Sequence, residues 1–105
     1  MTKEEFRKLT EQTLILDGAT GSNLMASGMP RGICTETWVI DHKNIIQDLQ
    51  RAYIKAGSQV IYAPTFGGNR LNLEKHGLTD RIEEINRTLV GYSKELAGNG
   101  VYVAG

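Results

Sequence analysis

The amino-acid sequence predicts an α/β fold in which parallel β-strands are joined by crossover helices. Three short apolar runs of strand length, TLILD, SQVIYA and VYVAG, recur at similar intervals along the 105 residues. Amphipathic segments with apolar residues at helical spacing lie between these runs. Strands that alternate with helices in this way favour a parallel sheet with right-handed crossover connections.

Two architectures fit this order of elements, an open doubly wound sheet and part of a (β/α)8 TIM barrel. A barrel of about 250 residues uses roughly 31 residues per βα unit, so the chain corresponds to about three of eight units. The last apolar run, residues 101–104, is followed by no covering helix. We therefore expect an incomplete barrel, the N-terminal part of a single domain without an internal boundary. Such a piece should be marginally stable, or self-associate through its exposed strand edges.

The composition excludes several classes of partner. Lys and Arg together number 12, as do Asp and Glu, so the chain has no basic footprint for nucleic acid or an anionic membrane. No apolar run approaches the roughly 18 residues of a membrane span. The charged start, MTKEEFRKLTEQ, does not resemble a signal peptide. Cys34, the one cysteine, cannot form an internal disulfide, and together these features favour a cytoplasmic protein.

The first elements follow from a cap and an apolar run. Thr2 and Glu5 form a T-x-x-E capping box, which predicts a short helix to about Gln12. TLILD then predicts a strand that ends at Asp17.

The middle of the chain contains the clearest helix. GSNLMASGM predicts one or two helical turns that end at Gly28 and Pro30, and residues 30–41, which lack a clear period, are predicted as loop. Asp41 is the predicted cap of a long amphipathic helix, and Gly57 its left-handed C-terminal residue. The apolar residues at helical spacing in this helix are Ile45, Leu49, Ala52 and Ala56.

The last third of the chain repeats the pattern of strand, loop and helix. SQVIYA predicts the second strand, which Pro64 ends because proline has no N–H to donate. PTFGG is predicted as a loop, after which Asn69 caps a short helix. Asp80 and Glu83 give the next helix a D-x-x-E start, and VYVAG is the third strand.

Asp17 is a candidate functional residue because of its place at the end of the first strand. In parallel α/β architectures, ligands bind at the carboxyl ends of the strands. A carboxylate there can hold a substrate ammonium, ligate a metal or act as a base. The alternative is that Asp17 caps the turn through neighbouring amides, and the spacing alone leaves both open.

The GATGS segment that follows resembles a phosphate loop only loosely. Gly18 and Gly21 do not fit G-x-G-x-x-G, and no lysine follows as in a P-loop. The backbone N–H groups can still form an anion nest at a helix start, and a tight strand-to-helix turn is the alternative. A small flavodoxin-like domain that binds a phosphate or nucleotide is therefore an alternative function.

The APTFGGN segment follows the second strand and should open on the same edge of the sheet. Thr65 can donate a hydrogen bond there, and Phe66 can form the wall of an apolar pocket. Loop packing without a ligand is the alternative.

The other residues with reactive side chains lack the partners that catalysis or metal binding needs. Cys34 has neither a nearby base nor the further cysteines of a structural zinc site, so it is predicted as a plain, partly buried cysteine. Glu36 is predicted as a solvated loop residue, with a place at the mouth of the site as the alternative, and Trp38 is predicted as a packing anchor. His76 lies near a helix end and is predicted to interact with the helix dipole.

Four stretches together resemble the homocysteine S-methyltransferase family. They are ILDGATGSNL, CTETW, AYIKAGSQVIYAPTFGGNR and LEKHGL, and they occur in the family's order at similar spacing over nearly the whole chain. Within the family they are most similar to the homocysteine-binding module of cobalamin-dependent methionine synthases. The resemblance implies a zinc-dependent (β/α)8 barrel that transfers a methyl group to the sulfur of homocysteine and forms methionine.

The resemblance also implies which residues contact the substrate. Asp17 matches the aspartate that helps to hold the homocysteine amino group, and the other matches lie in the turn after it and in the Thr–Phe pair after the second strand. The matching positions are Asp17, Gly18, Ala19, Gly21, Thr65 and Phe66. Cys34 matches none of the family's three zinc cysteines, so no metal ligand and no catalytic residue is assigned, and the fragment alone should be inactive. Cobalamin and methyltetrahydrofolate would act through downstream domains or a separate cobalamin protein.

Overall fold

Six α-helices and two short parallel strands form the structure, a computed structural model that describes all residues from Met1 to Gly105. The helices are α1 (Lys3–Leu9), α2 (Gly21–Ala26), α3 (Thr35–Asp41), α4 (Lys43–Ala56), α5 (Arg70–Glu74) and α6 (Ile82–Ala97). The strands are β1 (Val60–Tyr62) and β2 (Tyr102–Ala104), and a 3₁₀ turn, Thr79–Arg81, precedes α6. The predicted α/β class is confirmed. None of the helices combines the length and the apolar character needed to cross a bilayer.

The sheet is parallel, as predicted, and its strands lie in chain order. The paired residues of β1 and β2 are Val60 with Tyr102, Ile61 with Val103 and Tyr62 with Ala104. The first predicted strand, TLILD, is reduced to one parallel bridge between Leu16 and Val60. β1 therefore lies in the middle, whereas a flavodoxin-like sheet places the first strand between the second and the third.

Local signals account for several helix ends. Thr2 and Glu5 form the predicted capping box at the start of α1. Asn69 caps α5, because its side-chain oxygen accepts the Asn72 N–H at 2.9 Å. Gly57 ends α4 with φ of 119°, a left-handed conformation that glycine adopts without strain. The predicted cap at Asp80 does not form, since Asp80 lies within the 3₁₀ turn and α6 begins without a side-chain cap.

Helix α3 corrects the prediction of a loop at residues 30–41. Glu36, Val39 and Ile40 fall at i, i+3 and i+4 on one side of this helix, and a charged residue within that face obscures the apolar period. The predicted cap Asp41 is the last residue of α3, and α4 starts after His42 instead. The His42 ring stacks on Trp38 with 3.8 Å between ring centroids, which fixes the corner between the two helices.

The core lies between the helices and one face of the sheet. Its fully buried apolar side chains on helices are Leu24, Val39, Ile46, Leu73, Ile85 and Leu89. Ile61 of β1 is also fully buried. Beneath it, Gln50 of α4 donates to the Tyr62 carbonyl at 3.0 Å and accepts from the Ser93 hydroxyl of α6 at 3.1 Å. This buried polar chain joins two helices to the central strand.

Candidate functional site

A cleft of about 520 Å³ lies at the carboxyl end of β1. It is formed by the start of α2, the start of α3, the loop after β1 and helix α5. Its lining residues are Thr20, Gly21, Ile33, Thr35, Glu36, Tyr62, Ala63, Pro64, Phe66, Gly67, Asn69, Asn72 and His76. The lining contains one carboxylate and no lysine or arginine, so its electrostatics suit a cationic or neutral polar group better than a phosphate.

Asp17 lies beside this cleft and is tied to the central strand. Its carboxylate Oδ2 accepts the Tyr62 N–H at 3.1 Å, and its own N–H donates to the Val60 carbonyl at 3.0 Å. Burial raises the pKa of Asp17 above its ordinary value, and the Tyr62 N–H opposes this shift in part. Asp17 does not itself line the cleft, although its partner Tyr62 does. The carboxylate is therefore held at the strand ends, where parallel α/β proteins bind ligands.

The GATGS segment is a tight turn against α4. The Ala19 carbonyl accepts from the Tyr53 hydroxyl at 2.7 Å and from the Asn23 side chain at 2.8 Å. A Cβ added at Gly18 would lie 3.0 Å from the Tyr53 ring, so this glycine lets the turn approach the helix closely. Gly21 opens α2 and lines the cleft, whereas Gly18 and Ala19 do not line it. These contacts favour the turn over a phosphate cradle.

The loop after β1 presents its aromatic residue to solvent. The Thr65 N–H donates to the Ala63 carbonyl at 2.8 Å, and the Thr65 carbonyl accepts from Gly68 at 2.9 Å, which closes a turn around Phe66. Phe66 is 99% exposed and lines the cleft. Thr65 lies at the same loop but is not part of the lining. A fixed turn with a free ring can form the apolar wall of a ligand site.

Glu36 is the site residue that the sequence prediction placed wrongly. Only 4% of Glu36 is exposed, and its Oε1 accepts the Gly67 N–H at 2.8 Å. Its Oε2 accepts from the Cys34 thiol at 3.5 Å, and Cys34 is buried more fully than predicted, in contact with the cleft wall. The available signal was the i, i+3, i+4 spacing of Glu36 with Val39 and Ile40, which places the carboxylate on the core side of a helix.

The structure brings some of the predicted substrate residues together. Gly21 and Phe66 line one cleft, and Asp17 is linked to it through Tyr62. The sequence prediction missed the polar lining groups Asn69 and Asn72, and it gave Glu36 a place at the site only as the alternative. The substrate contacts of Asp17, Gly18, Ala19, Gly21, Thr65 and Phe66 stay predictions.

The residues of this chain do not fit the zinc site that the family resemblance implies. No group of three or more His, Cys, Asp or Glu side chains is placed to hold a metal ion. Cys34 is buried against Glu36 and has no second cysteine near it. Zinc in a protein is held by three or four such ligands.

Comparison with known proteins gives one family and several related enzymes. The profile of the family described as Homocysteine S-methyltransferase matches residues 14–105. A methionine synthase of Mycobacterium tuberculosis is 26% identical over 95 residues, and one of Mycobacterium leprae is 26% identical over 85 residues. An S-methylmethionine–homocysteine S-methyltransferase of Pongo abelii is 29% identical over 90 residues.

These matches cover most of this chain and a small part of each relative. The M. tuberculosis match spans 85% of this chain and 8% of the methionine synthase. The M. leprae match spans 75% of this chain and 7% of that relative. The match to the Pongo abelii enzyme spans 85% of this chain and 23% of that relative. The aligned region includes both the Asp17 turn and the loop after β1 in the family match.

Proposed function

The chain belongs to the homocysteine S-methyltransferase family, and on this premise we propose that it forms part of a longer enzyme that methylates homocysteine to methionine. The observation that carries the proposal is the hydrogen bond between Asp17 Oδ2 and the Tyr62 N–H at 3.1 Å. It joins the end of the first strand segment to the end of β1, beside a cleft without lysine or arginine. A carboxylate in such a place suits the ammonium group of an amino acid.

The larger architecture that we propose is a (β/α)8 barrel, of which this chain forms the first three βα units. Consecutive parallel strand order and the packing of α4 and α6 on one face of the sheet both support it. The more exposed face, with Leu16, Tyr62 and Tyr102, would then line the barrel interior. In a barrel, the carboxyl ends of the strands form the active-site face, and Asp17 and the Thr65–Phe66 loop lie there.

In this proposal Asp17 orients the substrate and takes no part in methyl transfer. Its carboxylate holds the homocysteine ammonium, Phe66 covers the apolar part of the substrate, and Thr65 supplies a hydrogen bond. Gly18, Ala19 and Gly21 keep the turn small enough for the substrate to approach the backbone. The ammonium charge favours the ionised form of Asp17, which offsets the effect of burial on its pKa.

The remaining parts of the enzyme would come from outside this chain. Zinc would be bound by cysteines elsewhere, because residues 1–105 provide no group of ligands. If the methyl donor is the one used by methionine synthases, cobalamin and methyltetrahydrofolate would be bound by further domains. We propose a cytoplasmic location and no activity for residues 1–105 alone.

The test is homocysteine binding to the full-length protein, measured by calorimetry. We expect Asp17→Ala to weaken the affinity by about 10- to 100-fold, because a hydrogen bond to a charged group is lost. Zinc content should stay unchanged. Asp48→Ala is the matched control, since Asp48 is exposed on α4 and pairs only with Arg51. Unchanged affinity in the Asp17 variant would refute the role of Asp17.

A titration with nucleotides separates the flavodoxin-like alternative from this proposal. Saturable binding of a nucleotide at the GATGS turn, without binding of homocysteine, would favour the alternative. The absence of a lysine or arginine in the cleft and the position of β1 in the middle of the sheet both speak against it.

A further inference from the structure

Glu36 is a buried carboxylate without a cationic partner. It lies in the first turn of α3 and is 4% exposed, whereas all four ion pairs of the chain involve other carboxylates at the surface. Desolvating a carboxylate costs free energy unless hydrogen bonds compensate it. The Gly67 N–H, at 2.8 Å, is the stronger of its two donors, and the Cys34 thiol is the other. The contact with Gly67 is therefore the main compensation that the structure provides.

Three side chains from three helices hold the two glycines that follow Phe66. Glu36 of α3 accepts the Gly67 N–H, and Asn72 of α5 donates to the Gly67 carbonyl at 2.8 Å. Asn86 of α6 donates to the Gly68 carbonyl at 2.6 Å. We call Glu36, Asn72 and Asn86 the glycine clamp. It holds the three successive peptide groups that follow Phe66 from the protein side.

The clamp leaves no space for side chains on the segment that it holds. A Cβ at Gly67 would lie 2.5 Å from Glu36 Oε1 and 2.7 Å from Asn72 Nδ2. A Cβ at Gly68 would lie 2.8 Å from Asn86 Oδ1. Neither glycine has a left-handed φ, so a side chain at either position would act by displacing the ends of the clamp side chains from their hydrogen bonds.

We propose that Glu36 is a positioning residue for the substrate site, acting through the Gly67 N–H to set the place of Thr65 and Phe66. This inference rests on the proposed function. The Phe66 ring is fully exposed and has no packing of its own to place it, so the hydrogen bonds of the neighbouring peptide groups define its position. Asn69 adds one more, from its side chain to the Phe66 carbonyl at 3.3 Å.

A positioning role and a purely structural role make different kinetic predictions. If Glu36 only stabilised the fold, its removal would lower the melting temperature and the fraction of active enzyme, but the folded molecules would keep their KM. If Glu36 sets the loop, the folded enzyme itself binds homocysteine less well, and KM rises.

The experiment uses the full-length enzyme with Glu36→Ala, Glu36→Gln and, as a surface control, Glu83→Ala. KM and kcat for homocysteine are measured together with hydrogen exchange of the peptide that spans residues 63–69. We expect Glu36→Ala to raise KM about 10-fold and to speed exchange at Gly67, because the amide loses a charged acceptor. Glu36→Gln keeps an oxygen that accepts the Gly67 N–H and should stay within about 3-fold of wild type. Glu83 is exposed, and its variant should behave as wild type.

Asn72→Ala provides a second route if Glu36→Ala does not fold. This variant removes the donor to the Gly67 carbonyl, and Asn72 is less buried than Glu36. It should also raise KM, by about 3- to 10-fold. Saturable homocysteine binding by the wild type with unchanged KM in Asn72→Ala and in every folded Glu36 variant would overturn the role of Glu36 alone. An equal rise in KM for Glu36→Gln and Glu36→Ala would overturn it too. No binding by the wild type would overturn the proposed function, and this inference with it.

Discussion

Ile61 and Tyr62 are neighbours on β1, yet Ile61 is fully buried and Tyr62 is 50% exposed. Successive side chains of a strand point to opposite faces of the sheet, so the two residues report on different surroundings. The face with Ile61 is covered by α4 and α6, whereas Tyr62 and Tyr102 on the opposite face, which we call the open face, are half-exposed. Stability is therefore concentrated on the helical face, and the candidate site lies at the end of the strands.

The most direct test of this difference between the two faces is to replace a leucine by alanine on each of them. Leu89→Ala, in the core of α6, should cost about 2–5 kcal/mol in the free energy of unfolding. Leu16→Ala, at a residue that is 47% exposed beside β1, should cost about 1 kcal/mol. Urea unfolding of residues 1–105 measures both. Equal losses would show that the open face is covered in solution.

The same pair of variants sharpens the barrel proposal when it is made in the full-length protein. If further strands enclose the open face, Leu16 becomes a core residue there. The cost of Leu16→Ala should then rise towards that of Leu89→Ala. A cost that stays near its value in residues 1–105 would count against the barrel.

Gln50 links the helical face to β1, and a substitution there measures what this link contributes to stability. Gln50→Leu removes the donor to the Tyr62 carbonyl and the acceptor of the Ser93 hydroxyl. We expect a loss of about 1–3 kcal/mol, because both partners are left without a hydrogen bond in a buried place. Gln12→Leu, at an exposed position after α1, is the control and should change stability by less than about 0.5 kcal/mol. A neutral Gln50 variant would show that water replaces the link.

The helical face also has a position at which stability can be gained. Gly91 lies within α6, and a Cβ added there meets no atom within 4 Å. Gly91→Ala should stabilise the fold by about 0.5–1 kcal/mol, because alanine loses less backbone entropy in a helix. Gly57→Ala should have the opposite effect, since Gly57 has φ of 119°. Thermal unfolding of the two variants checks the difference in sign.

The smallest expected effect concerns the charge of Asp17. Burial raises its folded pKa above the ordinary value of 3.8, so the ionised carboxylate opposes folding. The contribution of this group to stability is full below its unfolded pKa and is lost as the pH rises through the folded pKa. Asp17→Asn should therefore gain stability relative to wild type as the pH is raised from about 3 to 7. A stability difference that is independent of pH would contradict this assignment.

Much of the fold could be predicted because its signals are local. The capping box at Thr2, the cap at Asn69 and the left-handed Gly57 each depend on a few neighbouring residues. Helix α3 could not be predicted in this way, because its buried side contains Glu36, a charged residue of a type expected at the surface. The first strand was predicted too long: the structure forms a single bridge there, between Leu16 and Val60, although Ile15 and Asp17 also hydrogen-bond to Val60.

The candidate site could also be predicted only in part. Parallel strands bring their carboxyl ends to one edge, so the neighbourhood of Asp17 and the loop with Thr65 and Phe66 followed from the sequence. The contact between Glu36 and Gly67 did not, because it joins residues 31 positions apart whose pairing only the packing of α3 creates. Spacing along the chain contains no information about such a contact.

The consecutive parallel order of the sheet has a consequence for the time course of folding. Contacts between adjacent strands, such as that between Ile15 and Gln59, join residues 44 positions apart, and a whole crossover lies between them. Closing such loops costs entropy before the contacts compensate it, whereas helices form from near neighbours within microseconds. We therefore expect the helices to form first and the strands to align last, so that the candidate site is completed only in the final step of folding.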